Sequence, residues 1–213
     1  MADTPFDLLP RMTRLICRAV PGVDDCGITV RHDEQALTLA FSSDLAALND
    51  ELQCTAGAGP CLQVLEDGAV VESPDLTNET RWGRYPAAAV SCGMRSILSL
   101  PIDAAGAGRG VLNLCCQITH GFTDNDRQAC REFAGVIADV LMTAEHITDD
   151  STRAQRLREA LIHRSRVAQA VGVYMARHRC GPEEAFQLLL LTSREHGEDI
   201  YTTAARVGDV AGR

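Results

Sequence analysis

The sequence predicts an α+β fold: a largely antiparallel sheet with flanking helices, then a helical linker with coiled-coil character and a three-helix bundle. Three observations carry this. Strand patterns up to residue 118 come in hairpin-like pairs mixed with helical segments, not in regular β-α alternation. From Arg153 onward no strand signal survives. The charge balance changes in the same region: residues 1–149 hold 10 Arg against 21 acids, and residues 150–213 hold 10 Arg against 8. These balances of −11 and +2 sum to the overall −9 and suggest two parts with different partners, predicted to span 1–147 and 148–213.

Each element has its own reason. Phe6, Leu9, Met12, Ile16 and Val20 recur every three or four residues, predicting an amphipathic helix over 5–20. "CGITVRH" and "ALTLAFSS" read as two strands joined by a polar turn at Asp33–Glu34. Helical patterns follow near 43–53 and 60–66, then the short strand "AVVES" after the turn Asp67–Gly68. The segment "SPDLTNETRWGRYPAAAV" opens as a loop and becomes helical, with Trp82 expected half-buried in a surface turn. "RSILSLPID" and "GVLNLCCQI" are strands linked by the loop "AAGAG", the first expected to end at Pro101. A long helix over 122–147 opens with Thr123 as N-cap and Asp126 at the third helical position, a variant of the capping box.

In the C-terminal part, Leu157, Leu161, Arg164, Ala168, Val171 and Met175 fall at alternating spacings of four and three, a seam suited to a coiled coil. Gly181-Pro182 ends that helix and starts the next, whose first turn holds Glu183 and Glu184. Gly197 closes it, and a short helix covers about 199–207. The run "LLLL" at 188–191 makes more than one helix face apolar and, with the seam, points to a homodimer.

Composition excludes several function classes. Hydrophobic residues at 46% and charged residues at 23% are ordinary for a soluble globular chain. No apolar run approaches the roughly 20 residues that span a bilayer. The N-terminal "MADTPFDLLPRMTRL" lacks a basic region and a cleavage site, so a cytoplasmic location is expected. All twenty basic residues are arginine, which excludes a P-loop or Schiff-base lysine. The six histidines show no metal-ligand spacing, and no nucleophile-elbow, zincin or paired-carboxylate signature stands out. The expectation is no enzyme activity, no catalytic residue, no metal and no cofactor.

The nine cysteines are odd in number and lack CxxC spacing, so in a reducing compartment they form no disulfide framework. Small buried hydrophobe is the default reading for most of them. Cys54 and Cys61 flank a glycine loop, Cys92 precedes another, and Cys115 and Cys116 alternate faces of one strand. Cys61, at a helix start after Gly59-Pro60, best fits a thiol whose pKa a helix N-terminus lowers. Cys54, Cys61, Cys92 and Cys115 are the candidate ligand or redox residues.

The order of motifs resembles a GAF domain over about 5–147. It is carried by Gly57–Cys61, Pro74-Asp75, "RW" at 81–82, Gly93-Met94-Arg95-Ser96 before the strand with Pro101, and Phe122-Thr123 before the acidic helix start. The C-terminal helices resemble an ANTAR domain through Ala170, Gly172 and Met175, then Glu184-Ala185-Phe186, Leu189 and Ser193, then Ala204. The resemblance implies a regulator in which a sensor, bound to a small-molecule effector, controls a helical unit that binds RNA hairpins and prevents transcription termination. The chain departs from the ANTAR pattern at Val171, where members usually carry a lysine. It departs again at Glu198, Asp199 and Tyr201, where they tend to be basic. Carboxylates there repel a phosphate backbone.

Arg164, Arg166, Arg177 and Arg179 are the candidate phosphate contacts, with Tyr174 a candidate for base stacking. A solvated helix face pairing with Glu159, Glu183 and Glu184 explains the same arginines without RNA. Because GAF folds include free-methionine-sulfoxide reductases, a cysteine-based redox sensor or thiol enzyme is a second reading. A degenerate ANTAR protein acting only through protein contacts is a third.

Overall fold

The computed structural model describes residues 5–32, 35–104, 108–147 and 150–211. The predicted turn at Asp33–Glu34, the centre of the "AAGAG" loop and the junction at 148–149 lie outside them. The chain divides into two compact units, Met1–Leu157 and Arg158–Arg213.

In the first unit, a 3-10 turn (Pro5–Leu8) leads into α1 (Leu9–Ala19). The hairpin strands β1 (Asp25–His32) and β2 (Gln35–Phe41) follow, then α2 (Asp44–Ala56), α3 (Pro60–Asp67) and the short β3 (Val71–Ser73). After α4 (Tyr85–Ser91) come β4 (Ser96–Ala104), β5 (Gly108–Cys116) and α5 (Asp124–Ile147). The five strands form one sheet in the order β2-β1-β5-β4-β3, with every pairing antiparallel. This is the predicted α+β class.

The sheet is covered on both faces, so the strands do not alternate cleanly between apolar and polar. α1 and α5 pack on the face bearing Cys26, Ile28, Leu98, Leu100, Leu112 and Leu114, all buried. α2 and α3 pack on the opposite face, whose inward residues include Thr29, Ser99, Asn113 and Cys115. That second face is polar at its centre.

Pro101 does not end β4, which runs on to Ala104 with Pro101 opposite Val111 of β5. The physical reason is the length of β3, whose pairing covers only Ile97 to Ser99. Beyond Ser99 that side of β4 is an open edge, where a missing N–H breaks no ladder. The capping box is formed: the Asp126 carboxylate accepts from the Thr123 N–H at 2.9 Å and hydroxyl at 2.6 Å, and Thr123 Oγ1 accepts from the Asp126 N–H at 3.2 Å. Arg127, one residue on, grips Glu72 of β3 with two hydrogen bonds of 2.9 and 2.7 Å, tying the start of α5 to the sheet edge.

The second unit takes in most of α6 (Asp150–His178), from Arg158 on, then α7 (Pro182–His196) and α8 (Ile200–Ala211). Its core holds Val167, Ala170, Val171, Tyr174, Ala185, Phe186, Leu189, Leu190, Ile200, Ala204 and Val207. The predicted heptad seam is not a uniform stripe: Val171 is buried, Ala168 is exposed, and Leu157, Leu161 and Met175 are half-buried. In "LLLL", Leu189 and Leu190 face inward while Leu191 is 52% exposed, which breaks the apparent all-round apolarity. Gly197 closes α7 at φ +62°, a conformation other residues adopt at a cost.

Candidate functional site

The centre of the first unit's polar face is one carboxylate. Asp50 of α2 is buried, and its Oδ2 accepts from Thr29 at 2.8 Å and Thr38 at 2.9 Å. Its Oδ1 accepts from Asn113 Nδ2 at 2.9 Å, and Asn113 Oδ1 in turn accepts from Ser99 Oγ at 2.8 Å. The sheet is shaped for this arrangement. A bulge between Ile28 and Thr29 shifts the β1–β2 register so that Thr38 stands opposite Thr29. Gly27 leaves room for the acid: a Cβ there would lie 3.1 Å from Asp50 Oδ2. Burial raises the Asp50 pKa to about 6, because removal from water outweighs the hydrogen bonds that favour the anion.

Around this network sit Tyr85, whose hydroxyl donates to Asn49 Oδ1 at 2.7 Å, and Cys61, whose N–H donates to Gln53 Oε1 at 2.7 Å. Gly59 lets that glutamine pass, since a Cβ there would meet its side chain at 2.4 Å. The Asn49 Nδ2 is buried without a hydrogen-bond partner among the described residues. The network is thus a buried cluster beneath α2, α3 and α4 in which both Asp50 oxygens are engaged by neighbouring side chains. Among the described residues no group of His, Cys, Asp and Glu is placed to hold a metal ion.

The structure separates the cysteine candidates. Cys61 and Cys115 are buried, and burial pushes both thiols well above the ordinary range. This corrects the expectation for Cys61: it begins α3, but loss of water and the nearby Asp50 charge outweigh the helix N-terminus. Cys54 and Cys92 are half-buried. Trp82 is buried, not half-buried, and its Nε1 donates to Gln63 Oε1 at 3.1 Å while the Arg81 guanidinium lies 4.3 Å above its ring. Arg81 is engaged with Glu79 and holds that carboxyl down at about 2.

In the second unit Arg166, Arg177 and Arg179 are exposed and Arg164 is half-buried. Arg166 and Arg177 are eleven residues apart, which at about 100° per residue puts them in one row, roughly 16 Å apart. Arg164 lies about 200° round the helix from Arg166 by the same geometry, so the four arginines do not share one face. Arg179 follows the end of α6 in a left-handed conformation at φ +54°. Tyr174 is enclosed, and its hydroxyl lies 2.8 Å from Thr192 Oγ1. That corrects its expected role, because a ring packed in the core offers no face to a base.

The residues that depart from the ANTAR pattern have structural work. Val171 is buried, a poor place for a cation. Asp199 caps α8: its Oδ1 accepts from the N–H groups of Tyr201 at 3.0 Å and Thr202 at 2.8 Å. Glu198 pairs with Arg206 at 3.3 Å, and Tyr201 stacks on His163 with ring centroids 4.4 Å apart. The cap was recoverable from the sequence as Asp199 ahead of an apolar-periodic segment; the stacked pair, from elements far apart in the chain, left no local signal.

An antiparallel sheet in this strand order, with helices on both faces, defines an α+β domain joined to a helical unit. Family models match a GAF domain over residues 2–142 and an ANTAR domain over residues 155–207. The chain belongs to the GAF-domain family, with an ANTAR domain behind it.

Solved structures agree on the fold of the first unit. A domain of a putative two-component sensor histidine kinase from Sinorhizobium meliloti 1021 superposes with TM-score 0.54 at 15% identity, over 68% of this chain and 97% of that one. The GAF domain of an Acinetobacter phosphoenolpyruvate-protein phosphotransferase gives 0.53 at 18%, over 70% and 89%. A type II free methionine-R-sulfoxide reductase from Thermoplasma acidophilum gives 0.50 at 15%, over 64% and 92%. No curated protein matches the chain. Among the described residues no helix is long and apolar enough to cross a membrane.

Proposed function

We propose that the protein is a signal-responsive transcription regulator, with a sensor in residues 1–147 and an RNA-binding output in 148–213. The sensor takes a small polar effector at the Asp50 network. The output binds structured RNA hairpins and promotes antitermination. The observation that carries this reading is an ANTAR domain whose first helix presents Arg166 and Arg177 in one exposed row.

The row gives the reading its physical content. A cation held at a helix surface neutralises a phosphate and releases counterions, so each arginine in contact adds salt-dependent affinity. Glu198 and Asp199 oppose such binding less than their sequence position suggests. The first is paired with Arg206, and the second is turned onto the N–H groups of α8. The proposed contacts are therefore Arg166 and Arg177, with Arg179 beyond the helix end and Arg164 on a different side. Two copies of the chain would present two such rows, in keeping with the proposed homodimer and with a paired-hairpin target.

An electrophoretic mobility assay with paired-hairpin RNA tests the reading. The full chain shifts the RNA, and Arg177→Ala weakens the complex at least several-fold. Absent binding, or binding unchanged in that variant, overturns it and leaves regulation through protein contacts.

A further inference from the structure

By sequence pattern the redox candidates are Cys54, Cys61, Cys92 and Cys115. The structure places two other sulfurs together on the opposite face of the sheet. Cys17, on the last turns of α1, has its Sγ 3.8 Å from Sγ of Cys26 on β1. Cys17 is half-buried and Cys26 is fully enclosed. Both are free thiols.

We propose that Cys17 and Cys26 form a reactive thiol pair oxidised by small hydroperoxides, in which Cys17 attacks and Cys26 resolves. Three features of the site divide these roles. Only Cys17 meets solvent, so only its sulfur can be reached by the oxidant. While Cys17 is protonated its S–H points to Cys26 Sγ, and the Cys26 S–H is given to the Thr13 carbonyl oxygen at 3.2 Å; loss of the Cys17 proton frees the Cys26 S–H to turn to the new thiolate. Two donors can also serve a Cys17 thiolate, the Cys26 S–H and the Ser42 hydroxyl; Ser42 Oγ is fixed beside the pair by the Cys26 N–H at 2.9 Å.

Those donors, the Cys26 thiol foremost, lower the Cys17 pKa to about 7, against partial burial and the Asp25 carboxylate, while Cys26 is raised. A thiol with its pKa near ambient pH combines a large thiolate fraction with good nucleophilicity. The other charged or titratable groups nearby are Cys115 through the sheet and Cys130 on α5. Both are buried and raised, so neither competes for the oxidant.

The chemistry closes without a cofactor. The Cys17 thiolate attacks one oxygen of the hydroperoxide and the O–O bond breaks. The other oxygen leaves with a proton as alcohol or water, and Cys17 becomes a sulfenic acid. The Cys26 sulfur, giving up its proton, displaces the sulfenic hydroxyl as water and the S–S bond forms. In sum, two thiols and one hydroperoxide give one disulfide, one alcohol or water, and one water. Disulfide formation closes the sulfurs from 3.8 Å to the bonded distance of about 2 Å.

The test uses the full-length chain with hydrogen peroxide near stoichiometric amount, quenched with an alkylating agent and mapped by mass spectrometry without reduction. The expected result is an intramolecular Cys17–Cys26 link that dithiothreitol reverses, formed before any of the other seven cysteines is oxidised. In Cys26→Ser the reaction stops at a Cys17 sulfenic acid that dimedone traps; in Cys17→Ser the Cys26 thiol stays unmodified. Native Trp82 fluorescence in each variant shows that the fold is kept. On the unmutated protein, Cys17 should also alkylate many-fold faster than Cys26. Cys17 unreacted while Cys54, Cys92 or Cys180 oxidises, or Cys17 linked to any partner other than Cys26, overturns the proposal.

Discussion

Replacing Asp50 by Asn removes the titrating group at the centre of the first unit's polar face while keeping its shape. In the folded chain this carboxyl has its pKa raised from 3.8 to about 6 by burial. A group whose folded pKa lies above its unfolded value contributes stability that is fully present below the unfolded pKa and is lost as pH rises through the folded one. The window is therefore about pH 4 to 6, with a plateau above. A shift of about two units, at 1.36 kcal/mol each, corresponds to roughly 3 kcal/mol. Other carboxyls, Glu79 and Asp126 among them, are shifted down and act with the opposite sign at lower pH. The informative quantity is thus the difference between the two proteins.

Trp82 is the single tryptophan and is buried in the first unit, so its fluorescence during urea unfolding reports that unit. Asp50→Asn keeps an acceptor for one or two of the donors Thr29, Thr38 and Asn113 but turns an amide toward another, a constant cost of about 1–3 kcal/mol. Relative to the unmutated chain, the variant should gain about 3 kcal/mol between pH 4 and pH 7. A difference that does not change with pH would refute the raised pKa. A difference that moves the other way would show that the hydrogen bonds, not burial, dominate at Asp50.

Two further substitutions probe local structure. Thr123→Ala removes the capping box at the start of α5 and should cost about 1 kcal/mol of the first unit's stability, read from the same urea curves. Gly172→Ala adds a Cβ that meets nothing within 4 Å, so by helix propensity it should stabilise the second unit by up to about 1 kcal/mol, measured by thermal unfolding followed by circular dichroism.

What the sequence made legible was local. The β-branched run in "CGITVRH", the Thr123–Asp126 spacing and the Gly197 stop are each decided by a few neighbouring residues, and each element formed where its pattern lay. What it hid was non-local. Pro101 looks like a strand end until the shortness of β3, some thirty residues earlier, leaves its edge open. Thr29, Thr38, Asp50, Ser99 and Asn113 look like ordinary polar residues, and only the bulge and the sheet order bring them onto one carboxylate. Cys61 carried a correct helix-start signal whose electrostatic consequence burial reversed. Cys17 and Cys26 are nine positions apart on a helix and a strand, a spacing that matches no short cysteine motif.

The proposed RNA-binding role stands most directly on the exposed row of Arg166 and Arg177. Measuring hairpin-RNA affinity against salt for the unmutated chain and for the double variant Arg166→Ala/Arg177→Ala reads the number of phosphates neutralised. Each lost contact should flatten the slope of log affinity against log salt by about one. The row predicts a flattening of about two with weaker binding at every salt concentration. Identical slopes in the two proteins would contradict it.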